Sequence, residues 1–81
     1  SPSIKIESKH LEKQIDILEL VVLTKLETSK SEIRRLIRGN AIKLNDQIIT
    51  DEKLIIKNDF FKDNHLKLSI GKKRHIKVEL N

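Results

Sequence analysis

Cysteine, tryptophan, tyrosine and methionine are absent from this chain, and proline, glycine and phenylalanine are scarce. Without cysteine there are no disulfides and no thiolate metal site, so packing alone must hold the fold. That fits a reducing compartment, and a cytoplasmic location is expected. The only aromatic residues are Phe60 and Phe61. Readers of single strands that work through aromatic platforms are thereby excluded, and at least one of the two is expected to serve the core. No segment approaches the roughly 20 apolar residues of a membrane-spanning helix. The N-terminus carries no signal-peptide apolar region. A membrane-surface helix would want bulky apolar residues opposite its charge, so no membrane partner is expected.

Positive charge, in contrast, is plentiful and uneven. The 81 residues carry a formal charge of +5. Residues 30–43 hold Lys30, Arg34, Arg35, Arg38 and Lys43 against Glu32 alone. Residues 67–81 hold Lys67, Lys72, Lys73, Arg74 and Lys77 against Glu79 alone. The segments between and before them are net acidic. Two basic blocks with acidic spacers describe a localised footprint for an anionic partner.

Local signals divide the chain into short elements. Residues 1–14 read as a linker with a short strand at Ile4-Lys5-Ile6 and a brief helix over Lys9 to Lys13 capped by Ser8. Ser1-Pro2-Ser3 is either native linker or a vector-derived remnant. Residues 15–81 form the domain proper. Asp16 and Glu19 have capping-box spacing, and Ile15 and Leu20 are placed as a hydrophobic staple. They open a helix from Ile17 to about Lys25 that is apolar over most of its circumference. Ser29 and Glu32 form a second capping box, and Gly39 marks the stop of the helix it opens. Beyond Gly39 the period changes to two. Ala41–Leu44 and Gln47–Thr50 flank Asn45-Asp46, residue types that tolerate the positive φ of a tight hairpin turn. Leu54-Ile55-Ile56 is a candidate strand. Leu66–Ile70 and Ile76–Leu80 alternate strictly about a basic loop, Gly71-Lys72-Lys73-Arg74-His75. The expected fold is α+β: an αα-hairpin packed on a small, mainly antiparallel, twisted sheet of about four to five short strands.

The second helix carries the clearest chemistry. At about 100° per residue, Arg34, Arg35 and Arg38 share one side while Ile33, Leu36 and Ile37 share the other. One face packs and the other presents guanidiniums, which are planar, always charged and able to grip phosphate bidentately. An ordinary solvated face would not gather three of the chain's four arginines. Lys30 and Ser31 lie at the helix N-terminus, where free N–H groups favour phosphate. Three consecutive cations at Lys72, Lys73 and Arg74 repel one another, and a counter-anion relieves this. Together with the helix they are expected to form a joint phosphate site.

Enzymatic constellations are missing. His10, His65 and His75 lack metal-ligand spacing, so no metal site is expected. Asp51-Glu52 and the pair Asp59 and Asp63 read as solvated loop charge. Glu27-Thr28-Ser29-Lys30-Ser31 echoes the K-M-S-K-S signature of class I aminoacyl-tRNA synthetases. Its H-I-G-H partner and a nucleotide-binding glycine loop are both missing, and the chain is too short for a doubly wound domain.

The run S-K-S-E-I-R-R-L-I-R-G-N-A-I-K-L-N, followed at an interval by G-K-K-R-H, resembles the RNA-binding domain family named after ribosomal small-subunit protein four. Within it, the S-K-S-E-x-R-R-L-I wording, the L-S-I-G-K-K-R-H ending and the leading P-S-I-K-I are similar to the C-terminal domains of bacterial tyrosyl-tRNA synthetases. The resemblance implies a non-catalytic domain that holds tRNA, specifically tRNA(Tyr), by its anticodon stem and long variable arm. Tyrosylation would fall to a catalytic domain absent from this chain. ATP and magnesium would belong to that domain, and no cofactor to this one. It further implies RNA contacts at Lys30, Ser31, Arg34, Arg35, Arg38, Lys43, Lys72, Lys73, Arg74 and His75. The isolated domain is expected to be a monomer and its parent a homodimer. Ile33, Asn40 and Asp46 depart from the family pattern, where Ala, Gly and Gly are usual. The other readings are an RNA-binding domain of a pseudouridine synthase or ribosome-associated stress protein, and a protein-interaction module for an acidic partner.

Overall fold

A computed structural model describes residues 2–81. Three helices cover one face of a five-stranded sheet of order β1-β5-β4-β2-β3. The strands are β1 (Ser3–Ile6), β2 (Ile42–Leu44), β3 (Gln47–Ile48), β4 (His65–Ile70) and β5 (Arg74–Leu80). The helices are α1 (Ser8–Glu12), α2 (Ile17–Thr24) and α3 (Lys30–Arg38). Every pairing is antiparallel except β1 with β5, which is parallel. The α+β class and the mainly antiparallel sheet therefore stand as the sequence indicates.

Capping chemistry sets the helix starts. The Asp16 carboxylate accepts the Glu19 N–H at 2.9 Å and opens α2. The Ser29 hydroxyl accepts the Glu32 N–H at 3.3 Å and opens α3. Each oxygen satisfies a donor that the first turn cannot pair. The cap of α1 is Glu7 rather than Ser8; the Glu7 N–H donates to His10 Nδ1 at 3.1 Å, and Ser8 begins the helix.

Helix α3 stops at Gly39 as the sequence suggests, and the left-handed residue lies one position beyond. Gly39 sits at φ −88°, whereas Asn40 takes the left-handed position at φ 60°. Asn40 N–H donates to the Ile37 carbonyl at 3.0 Å and Ala41 N–H to that of Leu36 at 2.9 Å. This is the paired closure of a Schellman motif, which needs one left-handed residue. Asparagine is among the few side chains that enter that region routinely, so its presence instead of a second glycine is accommodated.

The core is aliphatic. Ile17, Leu18, Leu20 and Val21 of α2 and Ile33 and Ile37 of α3 are buried against Ile42, Leu66, Leu68, Ile70 and Val78 of the sheet. Ile33, the unusual residue for its position, is fully enclosed. Phe60 and Phe61 pack against this cluster from its margin, half-buried. The division of the chain at residue 14 does not appear in the packing: β1 joins the sheet beside β5, and Ile6 is part of the core. Leu54-Ile55-Ile56 forms no strand. It makes one isolated bridge, Asp16 with Ile55, just before α2. Asn45 and Asp46 both take positive φ, 49° and 68°, closing the β2–β3 hairpin as expected. The basic loop is shorter than expected, because β5 already begins at Arg74.

Candidate nucleic-acid interface

The register of the sheet decides where each candidate cation lies. Side chains alternate between faces along a strand. Ile42, Ile70 and Arg74 occupy one row, on the helix-covered side. Lys43, Ser69 and His75 occupy the next, on the open side. Arg74 therefore reaches the helical layer: its guanidinium donates to the Leu26 carbonyl at 3.0 Å and lies 3.8 Å from Glu27, both in the α2–α3 connection. Gly71, at φ 64°, donates its N–H to the Ala41 carbonyl at 2.8 Å, which ties the hairpin tip to the exit of α3. The tip, with Lys72 and Lys73, is thus tied to the segment that follows α3.

The structure joins Lys30, Ser31, Arg34, Arg35, Arg38 and Arg74 on the helical side. It does not join Lys43 and His75 to them. A single groove gathering all the candidates is not formed, because a one-residue step along a strand reverses the face.

On α3 the buried pair Ile33 and Ile37 anchors the helix, while Arg34, Arg35 and Arg38 are exposed. Two of these arginines are already held. Arg35 grips Glu32 with two nitrogens, its Nε donating at 2.8 Å. That hydrogen bond is the main reason the Glu32 carboxyl is held below its ordinary pKa, and the same bond raises Arg35. Arg38 bonds Glu52 bidentately, with both distances 3.2 Å. Glu52, read from sequence as free loop charge, is half-buried and positions a guanidinium across fourteen residues of chain. Arg34, Lys30, Lys43, Lys72 and Lys73 have no ion-pair partner among the described residues.

The open face holds cations that the motif-based reading passed over. Lys67 stands directly across from Lys77, and Lys5 shares the row of Glu79 and His65. Lys67 lies 3.0 Å from Asp46, so the turn's unusual carboxylate has a local partner. Their signal was present as the odd-numbered positions of two alternating strands. Only the pairing register puts them side by side.

The arrangement is a basic surface with positioned guanidiniums. Among the described residues, no group of acids and histidines is placed to hold a metal ion. Comparison with known proteins places the chain in a family. The model of the tyrosine–tRNA ligase SYY-like C-terminal domain matches residues 2–78. The chain belongs to that family. The tyrosine–tRNA ligase of Pelagibacter ubique (strain HTCC1062) is 61% identical over 79 residues, covering 98% of this chain and 19% of the relative. Those of Rickettsia massiliae (strain Mtu5) and Rickettsia rickettsii (strain Sheila Smith) are 48% and 46% identical over 80 residues, each covering 98% of this chain and 20% of the relative. The chain thus spans about a fifth of the length of these curated relatives. The family is the ligase branch of the ribosomal-protein-four-like domains to which the arginine motif pointed.

Proposed function

We propose that this domain holds tRNA for a tyrosine–tRNA ligase, docking phosphates of tRNA(Tyr) along α3 and the β4–β5 tip. The reading rests on the exposed arginine ridge of α3 in a chain matched over residues 2–78 by a ligase C-terminal domain. Arg34 offers an unengaged guanidinium. Arg35 and Arg38 are held in place by Glu32 and Glu52, so little side-chain freedom is lost on meeting RNA. Lys30, Ser31, Lys72, Lys73 and Arg74 extend the contact along the helical side, and Lys43 and His75 continue it around the hairpin.

The domain performs no chemistry in this reading. Tyrosylation, with its ATP and magnesium, belongs to a catalytic domain of the parent ligase, a cytoplasmic homodimer; this piece is monomeric. Selection is by RNA shape, the anticodon stem and long variable arm, because the chain has few aromatic side chains to stack on bases.

The test is an NMR titration of the labelled domain with tRNA(Tyr), a tRNA lacking a long variable arm, and a ribosomal RNA hairpin. Shifts at residues 30–38 and 71–75, strongest with tRNA(Tyr), are expected. With about five phosphate contacts, affinity falls roughly 100- to 500-fold between 50 and 200 mM salt. Equal shifts with every RNA would reduce the reading to general RNA binding. No shifts at low salt would overturn it in favour of an acidic protein partner.

A further inference from the structure

The open face of the sheet contains a groove of about 450 Å³ lined by Pro2, Asn45, Lys62, Lys67, His75 and Lys77 among others. It lies on the side of the sheet away from α3. Its volume suits one small ligand unit rather than the edge of a duplex. Its rim is cationic, and no carboxylate residue is among those that line it. Lys67 and Lys77 face each other across β4 and β5, an arrangement of like charge that costs stability unless an anion intervenes. Each has only an exposed or long ion pair to relieve it, Lys67 with Asp46 at 3.0 Å and Lys77 with Glu79 at 3.9 Å.

We infer that this groove is a second RNA contact, receiving one unpaired nucleotide of the RNA that docks on α3. The inference rests on the function proposed above. A duplex lying on the arginine ridge does not turn through the sheet. A single strand does, and Lys72, Lys73 and His75 mark a basic path around the hairpin tip from one face to the other. In the groove, Lys67 and Lys77 take the phosphate. The His75 imidazole and the Pro2 ring supply a flat or apolar surface for a base, histidine being one of the side chains on which unpaired bases stack. An acidic peptide would also satisfy the lysines but would leave the flat surfaces without a matching group.

The experiment compares a blunt RNA hairpin with the same hairpin carrying a five-nucleotide single-stranded tail. Binding to the full chain is measured from 50 to 200 mM salt. For wild type, the tail is expected to tighten binding and shift the amides of His75 and Lys77. In Lys67→Gln/Lys77→Gln, whose altered side chains are exposed, the tail advantage disappears and the salt slope for the tailed RNA falls by about 0.7, the loss of one single-strand phosphate contact, while the blunt hairpin is unaffected. Arg34→Glu weakens both RNAs. Retention of the tail advantage by the double variant, or groove shifts with poly-glutamate but not with the tail, would overturn the groove assignment. Failure of Arg34→Glu to weaken the blunt hairpin would instead overturn the helix-side reading. The wild-type shifts decide the matter should the double variant fold poorly.

Discussion

Helices α2 and α3 lie side by side, and each begins on an oxygen cap three residues before an acid whose N–H it accepts. Their faces differ. In α2, Ile17, Leu18, Leu20, Val21 and Thr24 are all buried, leaving few positions for contact with anything outside. In α3, only Ile33 and Ile37 are buried, Glu32 and Leu36 are half-buried, and Lys30, Ser31, Arg34, Arg35 and Arg38 are exposed. The same local grammar thus builds one helix that is structure and one that is surface. The division lets the charged face change while the core stays intact, because the residues that anchor α3 are not those that would meet a ligand.

The contrast breaks most sharply with a core truncation. Leu20→Ala in α2 is expected to cost about 2–5 kcal/mol, through lost burial and the cavity left behind. Thermal or urea unfolding measures it, and RNA affinity under folding conditions should barely move. Arg34→Glu in α3 is the converse. It should weaken tRNA binding about tenfold or more, the loss of a charge-assisted phosphate bond, with unfolding unchanged within about 0.5 kcal/mol. A variant that binds like wild type would remove Arg34 from the site.

The two caps sharpen the comparison by being alike. Asp16→Ala and Ser29→Ala should each cost about 1 kcal/mol in denaturant unfolding. The helix ends differ again, since Lys25 closes α2 at φ 65° and Asn40 closes α3 at φ 60°. Lys25→Gly should stabilise by roughly 0.5–1 kcal/mol by relieving a left-handed lysine. Asn40→Gly should change stability less, because asparagine already tolerates that region.

The smallest effect concerns Glu32. Its folded-state pKa is depressed, chiefly by the hydrogen bond from Arg35. The associated stabilisation is present above the unfolded value of 4.5 and is lost as pH falls through the depressed folded value. NMR titration should show Glu32 ionising below the ordinary glutamate range, and Arg35→Ala should bring it back up. The pair is exposed, so the change in overall stability should be slight.

Much of the fold was legible because its signals are local. The caps at Asp16 and Ser29, the turn at Asn45-Asp46 and the alternation of Leu66–Ile70 and Ile76–Leu80 each rest on a few neighbouring residues. The errors arose where neighbours do not decide. Leu54-Ile55-Ile56 has strand composition, yet only one bridge is available to it. Gly39 does stop α3, but nothing in its neighbours announces that Asn40 takes the left-handed position beyond it. Residues 1–14 look like a linker because nothing local announces that β1 pairs with the far end of the chain.

The candidate site divides along the same line. The amphipathic pattern of residues 30–38 settled by itself that Ile33 and Ile37 turn inward and the three arginines outward, because helical geometry is fixed once the helix forms. Family membership too was written in that run and in Gly71-Lys72-Lys73-Arg74-His75. Tertiary structure alone decided that Glu52 holds Arg38, that Arg74 turns to the α2–α3 connection, and that Lys43 and His75 face the other way with Lys67 and Lys77. Those facts depend on strand register and on contacts between distant segments. Sequence spacing carries no information about them until the sheet has assembled.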